Sequence, residues 1–545
     1  VTLSANKAEP LVFKEEKKGF SPEQQRYLAD MLVKLNLHLA MGAEGSQKPE
    51  EETFWGTAIE DLSKEERAKY DTHVLDIWDQ IVAHNNADKI AEGITQFMFR
   101  HHGIFNVEPN SNGYMCRMRI PSCKLRGDQF AMLGDLSVDV AGGYAHVTTR
   151  GNLQFREIKP NRVLDLFAGL YDIGLSCKGT GADSARNITA SPTAGFDPLE
   201  VTDLHQYGIE LGHRILNTRD LNGLPRKFNF SFDNAGSISC VSDTNDVGFV
   251  AVEVLDNDQG VEPGIYCRLI LGGITGHEDF ARDTGFICKP EHTPEISEAI
   301  LRVFLEHGDR TNRKKARFKY VLDKHGFDWT CARIQEKLEG FGNGATLIPL
   351  AKNFDAPRAA INRQGHVGVH PQSQEGFSYI GVALMLGKLS PEQMRGLGKI
   401  AQRYGSNDIR LTVWQNLIIP FIKNDDVDTV VAEIEALGLT TSPTAFVAGA
   451  ISCTGRWGCK LANAYTKQDG ESIVRHLETR FEMDQPINIH LTGCPNSCAQ
   501  HYIGDIGLIG TAAKDGSEGY NIFVGGGVDQ DQALARFLCG PIAAR

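Results

Sequence analysis

The stretch Leu125–Val138, "LRGDQFAMLGDLSV", returns later as Leu389–Gln402, "LSPEQMRGLGKIAQ", and this recurrence decides the architecture. At one offset of 264 positions (389 − 125), Leu125 meets Leu389, Gln129 meets Gln393, Leu133 meets Leu397 and Gly134 meets Gly398. The same offset lays "VTTRGNLQF" over "LTVWQNLII", pairing Thr148 with Thr412, Asn152 with Asn416 and Leu153 with Leu417. Each copy reads as a strand, a turn, an amphipathic helix, then a β-branched strand ending in a Gln/Asn-rich turn.

That pattern is half of a ferredoxin-like α+β unit. A second repeat follows each copy: "KFNFSF" and "DVGFVAV" are answered by "INIHLT" and "DIGLIGT". An offset of 259 (505 − 246) pairs Asp246 with Asp505, Gly248 with Gly507 and Asn229 with Asn488, and "GIYCRLILGG" then answers "GYNIFVGGG". The expected fold is therefore α+β, internally duplicated and pseudo-twofold. Two ferredoxin-like halves (95–170 and 379–440) form one domain, and each is followed by a related mixed α/β domain (171–340 and 441–545). Residues 341–378 turn rich in Gly, Asn, Gln and Pro and read as a linker. Residues 1–94 read as a helical extension, with Ser21 a candidate N-cap and Pro22 at the first helical position.

A chain of 545 residues is too long for one core. Hydrophobic residues make up 41% and charged residues 23%, the balance of a soluble globular protein. "YIGVALMLG" falls far short of the roughly 20 apolar residues a membrane helix needs. The net charge of −13 argues against nucleic acid as a partner. Neither a signal peptide nor a transit peptide is recognisable, so a bacterial cytoplasm is expected, with a trimmed plastid protein as the alternative. The C-terminal "LARFLCGPIAAR" looks helical, with the natural terminus expected further on.

Of 12 cysteines, Cys116, Cys123, Cys177, Cys240, Cys267, Cys288, Cys331 and Cys539 have no ligand spacing and read as reduced, mostly buried thiols. The other four form two pairs, "ISCTGRWGCK" with Cys453 and Cys459, and "LTGCPNSCAQ" with Cys494 and Cys498. Zinc favours gaps of two to four residues, which only the second pair satisfies. An iron–sulfur cluster tolerates wider gaps, so spacing favours a cluster and leaves zinc and chance open.

C-x5-C followed by TGCPNSC, on a duplicated A-B-A′-B′ framework, resembles the nitrite/sulfite reductase family from about Thr95 onward. The resemblance implies a [4Fe–4S] cluster on Cys453, Cys459, Cys494 and Cys498, with Cys498 also bridging to a sirohaem iron. It implies that Arg117, Arg186, Lys227 and Asn229 contact the substrate, and that Arg119, Arg150 and Arg226 serve the macrocycle carboxylates. The run Arg313, Lys314, Lys315, Arg317 and Lys319 is compatible with a sirohaem, a donor-docking patch or plain surface.

Position 229 is expected to select the anion. Sulfite-reducing relatives resemble Lys-x-Lys here and nitrite-reducing ones Lys-x-Asn; this chain has Lys227-Phe228-Asn229. Sulfite is largely dianionic near neutrality and profits from one more cation, whereas nitrite is a monoanion. The expected reaction is six-electron reduction of nitrite to ammonium. Sulfite reduction on the same framework is the first alternative, a cluster-containing cobalamin-synthesis relative the second, and a zinc-stabilised binding protein the third. No dinucleotide fingerprint is present, so the electrons are expected from a separate carrier, ferredoxin or flavodoxin, delivered to a monomer.

Overall fold

The computed structural model describes residues 53–107, 113–513 and 515–544. Ser21 and Pro22 lie outside them. From Trp55 on the chain forms one compact unit. It begins with three short helices, α1 (Lys64–Asp71), α2 (Trp78–Asn86) and α3 (Gly93–Phe99).

The first ferredoxin-like half comprises β1 (Ile104–Asn106), β2 (Tyr114–Arg117), β3 (Lys124–Arg126), α4 (Gly127–Val140), β4 (Ala145–Val147), β5 (Leu153–Ile158) and α5 (Val163–Ile173). The first mixed domain follows with β6 (Ala185–Ala190), α6 (His205–Asn217), β7 (Phe228–Asp233), β8 (Val247–Val254), β9 (Gly264–Leu271), β10 (Arg282–Cys288), α7 (Thr293–His307), α8 (Phe318–His325), α9 (Phe327–Phe341) and β11 (Ile348–Pro349). The second ferredoxin-like half is β12 (Gly368–Pro371), β13 (Phe377–Val382), β14 (Lys388–Leu389), α10 (Pro391–Tyr404), β15 (Asp408–Leu411), β16 (Leu417–Lys423) and α11 (Val427–Ala436). The second mixed domain contains α12 (Ala445–Ala448), β17 (Ala450–Ser452), α13 (Thr466–Glu478), β18 (Ile489–Thr492), β19 (Ile506–Ala512), β20 (Glu518–Val524) and β21 (Arg536–Ala543).

The repeated residues do the same work twice. Gln129 accepts the N–H of Arg126 at 3.0 Å, capping α4, and donates to Ile173 O at 2.9 Å, tying off α5. Gln393 accepts the N–H of Ser390 at 2.9 Å and donates to Leu437 O at 3.3 Å. One amide thus satisfies an orphan group at each of two helix ends. The glycines let the repeated helices touch: a Cβ on Gly398 would lie 2.5 Å from Gly127 O, and one on Gly134 would lie 2.8 Å from Pro391 O. Leu133 and Leu397 are fully buried at this crossing.

The halves also exchange strands. Leu125 of β3 pairs with Ile409 of β15, and Leu389 of β14 pairs with Ala145 of β4. The resulting five-stranded sheets run β1-β2-β5-β4-β14 and β12-β13-β16-β15-β3. Each half thereby covers an edge the other would leave open. The same left-handed turn launches each exchanged strand, at Ser122 (φ 56°) and Cys123 (59°), and at Leu386 (55°) and Gly387 (72°). Both halves share one hydrophobic core, which makes them a single domain.

The mixed sheets are ordered β6-β7-β8-β9-β10-β11 and β17-β18-β19-β20-β21. In both, the first three strands are parallel and the rest antiparallel. The repeated Asp246 accepts the N–H of Asn229 at 2.9 Å, and Asp505 accepts that of Asn488 at 2.6 Å. This contact locks the same parallel register in each copy.

Two sequence expectations change. Segment 341–378 is no free linker: it supplies β11 to one sheet and β12 to another, since its short Ile/Leu/Val runs find open sheet edges. The C-terminal stretch is the edge strand β21, because Gly540 and Pro541 break a helix and Tyr520 pairs with Ile542. The eight unspaced cysteines are free thiols, buried except for the partly exposed Cys539. Among the described residues no helix is long and apolar enough to cross a membrane.

Candidate cofactor and anion site

Cys453 follows the end of β17 and Cys494 follows the end of β18. Adjacent parallel strands thus bring both pairs to one carboxyl-terminal edge, the usual place for a ligand in such sheets. The Cys453 sulfur accepts the Gly493 N–H at 3.2 Å. Burial, with Cys498, Cys459 and Cys453 all close by, pushes the Cys494 thiol up to about 11. The four sulfurs therefore converge. Yet among the described residues no three His, Cys, Asp or Glu side chains come close enough to hold a single metal ion. Four cysteines gathered at one edge of adjacent strands can supply the four thiolates that a cubane cluster needs.

Cys494 is buried while Cys498 is exposed. The Cys498 loop is firmly held. Ala499 N–H donates to Thr492 Oγ1 at 3.2 Å, Gln500 Nε2 donates to Thr244 Oγ1 at 2.9 Å, and Thr149 Oγ1 donates to Cys498 O at 3.0 Å. Thr149 lies in the β4–β5 turn, closed by Thr148 N–H to Asn152 O at 2.9 Å. The next residue of that turn is Arg150, whose guanidinium donates to Asn245 Oδ1.

Three cations face Cys498. Burial lowers Arg117 and Arg150 below the ordinary arginine range and lowers Lys227 to about 7; the Cys498 sulfur lies close enough to oppose this in all three, as Asp246 does for Arg150. Arg186 joins them: burial first, then Arg117, depresses it. Arg117 and Arg186 both donate to Thr180 O, at 3.3 and 2.8 Å, and Arg117 also lies over the Phe105 ring at 4.7 Å. Arg186 also donates to Ala182 O at 2.8 Å, while its Nε is buried without a partner. Among the described residues none of Arg117, Arg150, Arg186 and Lys227 is paired with a carboxylate. Asp183 is taken by Arg313, in two bonds of 2.8 and 2.9 Å, and by Lys69 of α1. Asp246 is taken by Arg317 at 2.8 Å. Like charges held this close and unpaired form a site for an anion.

Arg119 does not join this group. It is 2% exposed and donates to the carbonyls of Lys178, Gly179, Ala185 and Arg186, stapling the loop that presents Arg186 and Thr180. Arg226 is partly exposed, 3.7 Å from Asp183. Asn229 is buried and donates Nδ2 to Asp246 Oδ2 at 3.0 Å, which fixes its orientation. Of the basic run, Arg313 and Arg317 are paired as above, Lys319 meets Asp279 and Asp323, and Lys314 and Lys315 are exposed. Sequence reasoning missed Thr180, Thr149 and Asn245, whose neutral side chains carry no signal of their own.

The pseudo-twofold copy differs at two of these positions. Register places Gly381 where the first copy has Arg117, since Gly381 pairs with Ile418 as Arg117 pairs with Gln154. The equivalent turn carries Trp414 in place of Arg150, buried among Phe196, Tyr379 and Ile451. Among the described residues the second copy thus lacks the counterparts of Arg117 and Arg150.

The nitrite and sulphite reductase 4Fe–4S domain matches residues 181–340 and 456–543, and the nitrite/sulfite reductase ferredoxin-like half domain matches 107–173 and 370–437. A ferredoxin–nitrite reductase of Synechococcus elongatus is 31% identical over 491 residues, 87% of this chain and 92% of that protein. Sulfite reductase (ferredoxin) 2 of Mycolicibacterium paratuberculosis is 30% identical over 483 residues, 84% of each chain. The solved structure of the Mycobacterium tuberculosis NirA protein superposes with a TM-score of 0.80 at 28% identity, covering 89% of this chain and 91% of that one. The chain belongs to the nitrite and sulfite reductase family, whose members carry a sirohaem and a [4Fe–4S] cluster.

Proposed function

We propose that this enzyme reduces nitrite to ammonium, taking six electrons and eight protons and releasing two waters, with a ferredoxin-type carrier as donor. The reading rests on position 229: Asn229, two residues from Lys227, is an uncharged amide held in place by Asp246. A lysine there would add the charge that a dianion needs; an amide suits a monoanion. Relatives with nitrite-reductase and sulfite-reductase names are equally similar, so position 229 supports the choice where overall identity does not.

In this reading Cys453, Cys459, Cys494 and Cys498 would hold the cluster, and Cys498 would also serve the sirohaem. When bound, the two cofactors would supply a redox-active iron for the anion and a store from which electrons pass singly. Arg117, Arg186, Lys227 and Asn229 would bind and orient the anion, while Arg150 and Arg226 would meet the macrocycle carboxylates. Lys227, held near 7, can gain and release a proton at Nζ within the working pH range, as general acid catalysis requires. Arg119 acts by holding the Arg186 loop. Ferredoxin as donor is supported by the names of the relatives.

Steady-state turnover with reduced methyl viologen tests the choice of anion. Nitrite is expected to show the higher kcat/KM; a higher value for sulfite would make this a sulfite reductase of the same architecture.

A further inference from the structure

Two further buried cations adjoin the cysteines, and the anion site does not use them. Arg156 of β5 is 3% exposed and donates to Gln154 Oε1 at 2.7 Å, His146 Nδ1 at 3.3 Å, Gly458 O at 3.3 Å and Thr454 Oγ1. Thr454 and Gly458 both lie between Cys453 and Cys459, so one guanidinium spans the loop. Lys467, in the first turn of α13, is 7% exposed and donates to Leu386 O and to the carbonyl of Ser452, the residue before Cys453.

Neither cation meets a carboxylate among the described residues. Elsewhere in this chain buried cations commonly do: Lys69 and Arg310 meet Glu66, Arg268 meets Asp355, Arg317 meets Asp246 and Arg410 meets Asp408. Placing an unpaired ion in the interior costs several kcal/mol. The groups facing Arg156 are Tyr144, the sulfurs of Cys459 and Cys453, and, as a like charge, Arg117. Those facing Lys467 are Cys453 and the like charges Arg156 and Lys388. The available anion is therefore the thiolate set. A cubane on four thiolates carries two negative charges when oxidised and three when reduced, and both net charge and hydrogen bonding set such potentials.

We propose that Arg156 and Lys467 are the counter-ions of the iron–sulfur cluster, positioning residues that brace the Cys453–Cys459 loop and raise the cluster's reduction potential. The inference rests on the cluster and not on which anion the enzyme reduces, so nitrite or sulfite turnover does not enter its test.

The test is an EPR-monitored redox titration of the holoenzyme, with iron content measured on the same samples. Arg156→Gln and Lys467→Met are each expected to shift the cluster's reduction equilibrium at least tenfold toward the oxidised form, 59 mV for one electron. Arg156→Lys keeps the charge and is expected to keep the parent potential. Full iron content with an unchanged potential in both neutral variants overturns the proposal. Where Arg156→Gln fails to assemble the cluster, the lysine variant decides: recovered iron supports a role for charge, and equal loss of iron with lysine shows a role in shape alone and overturns it.

Discussion

Arg119→Met separates two roles for one arginine. If Arg119 served the macrocycle, its loss would empty the cofactor site; if it staples the 178–186 loop, its loss frees that loop. The staple consists of bonds to Gly179 O at 2.7 Å, Ala185 O at 2.8 Å, Lys178 O at 3.1 Å and Arg186 O at 3.3 Å. The two short ones dominate, and charge-assisted bonds of this kind contribute about 1.5–3 kcal/mol each, giving about 3–6 kcal/mol. Against this stands relief of desolvation. Burial lowers Arg119 from 12.5 to about 10, which corresponds to about 3 kcal/mol regained when the charge is removed. The net destabilisation expected is at most about 3 kcal/mol, concentrated in the loop. Hydrogen exchange of the Gly179–Arg186 amides should accelerate by up to roughly a hundredfold, with sirohaem content, read from the Soret absorbance, close to that of the parent. Unchanged protection of the loop together with lost sirohaem would refute the staple and return Arg119 to the macrocycle.

Asn229→Lys should raise the ratio of sulfite to nitrite kcat/KM at least tenfold; an unmoved ratio at full cofactor content would remove position 229 from selectivity. Gly398→Val should destabilise the fold by about 1–3 kcal/mol or more, because its Cβ would meet Gly127 O at 2.5 Å and Ala131 N at 2.7 Å, both backbone atoms. Thermal unfolding checks this, and Gly134→Val should behave alike by symmetry. Glu200 accepts Gly195 N–H and Asn234 Nδ2, yet burial raises its carboxyl from 4.5 to about 7. Below about pH 4.5 folded and unfolded chains both hold its proton; between there and 7 only the folded chain does, so this stability drains away as pH rises. Glu200→Gln should flatten the stability-versus-pH curve across that window, measured by urea unfolding at several pH values.

Much of the fold was legible because duplication shows each requirement twice. Gln129 and Gln393 recur because each ties two helix ends, Gly134 and Gly398 because two helices touch there, and Asp246 and Asp505 because each locks a parallel register. Such residues repeat at a constant offset because the scaffold obeys one geometry in both copies. The edge strands β11, β12 and β21 were less legible. A short strand on an open edge needs only a few extended residues, and nothing in its own sequence says which edge will accept it.

The sequence by itself determined the pseudo-twofold framework, the four cysteines and the set of arginines and lysines available to an anion, because spacing and residue type are local properties. Only the tertiary structure decided how those cations are employed. Arg117, Arg150, Arg186 and Lys227 are left without carboxylates around Cys498, Arg313 and Arg317 are spent on Asp183 and Asp246, and Arg119 is spent on main-chain carbonyls. A charge is free or neutralised according to its neighbours within a few ångströms, and those neighbours come from distant parts of the chain. The same reason hid Arg156: a single arginine in a strand became visible only once the cysteine loop was folded against it.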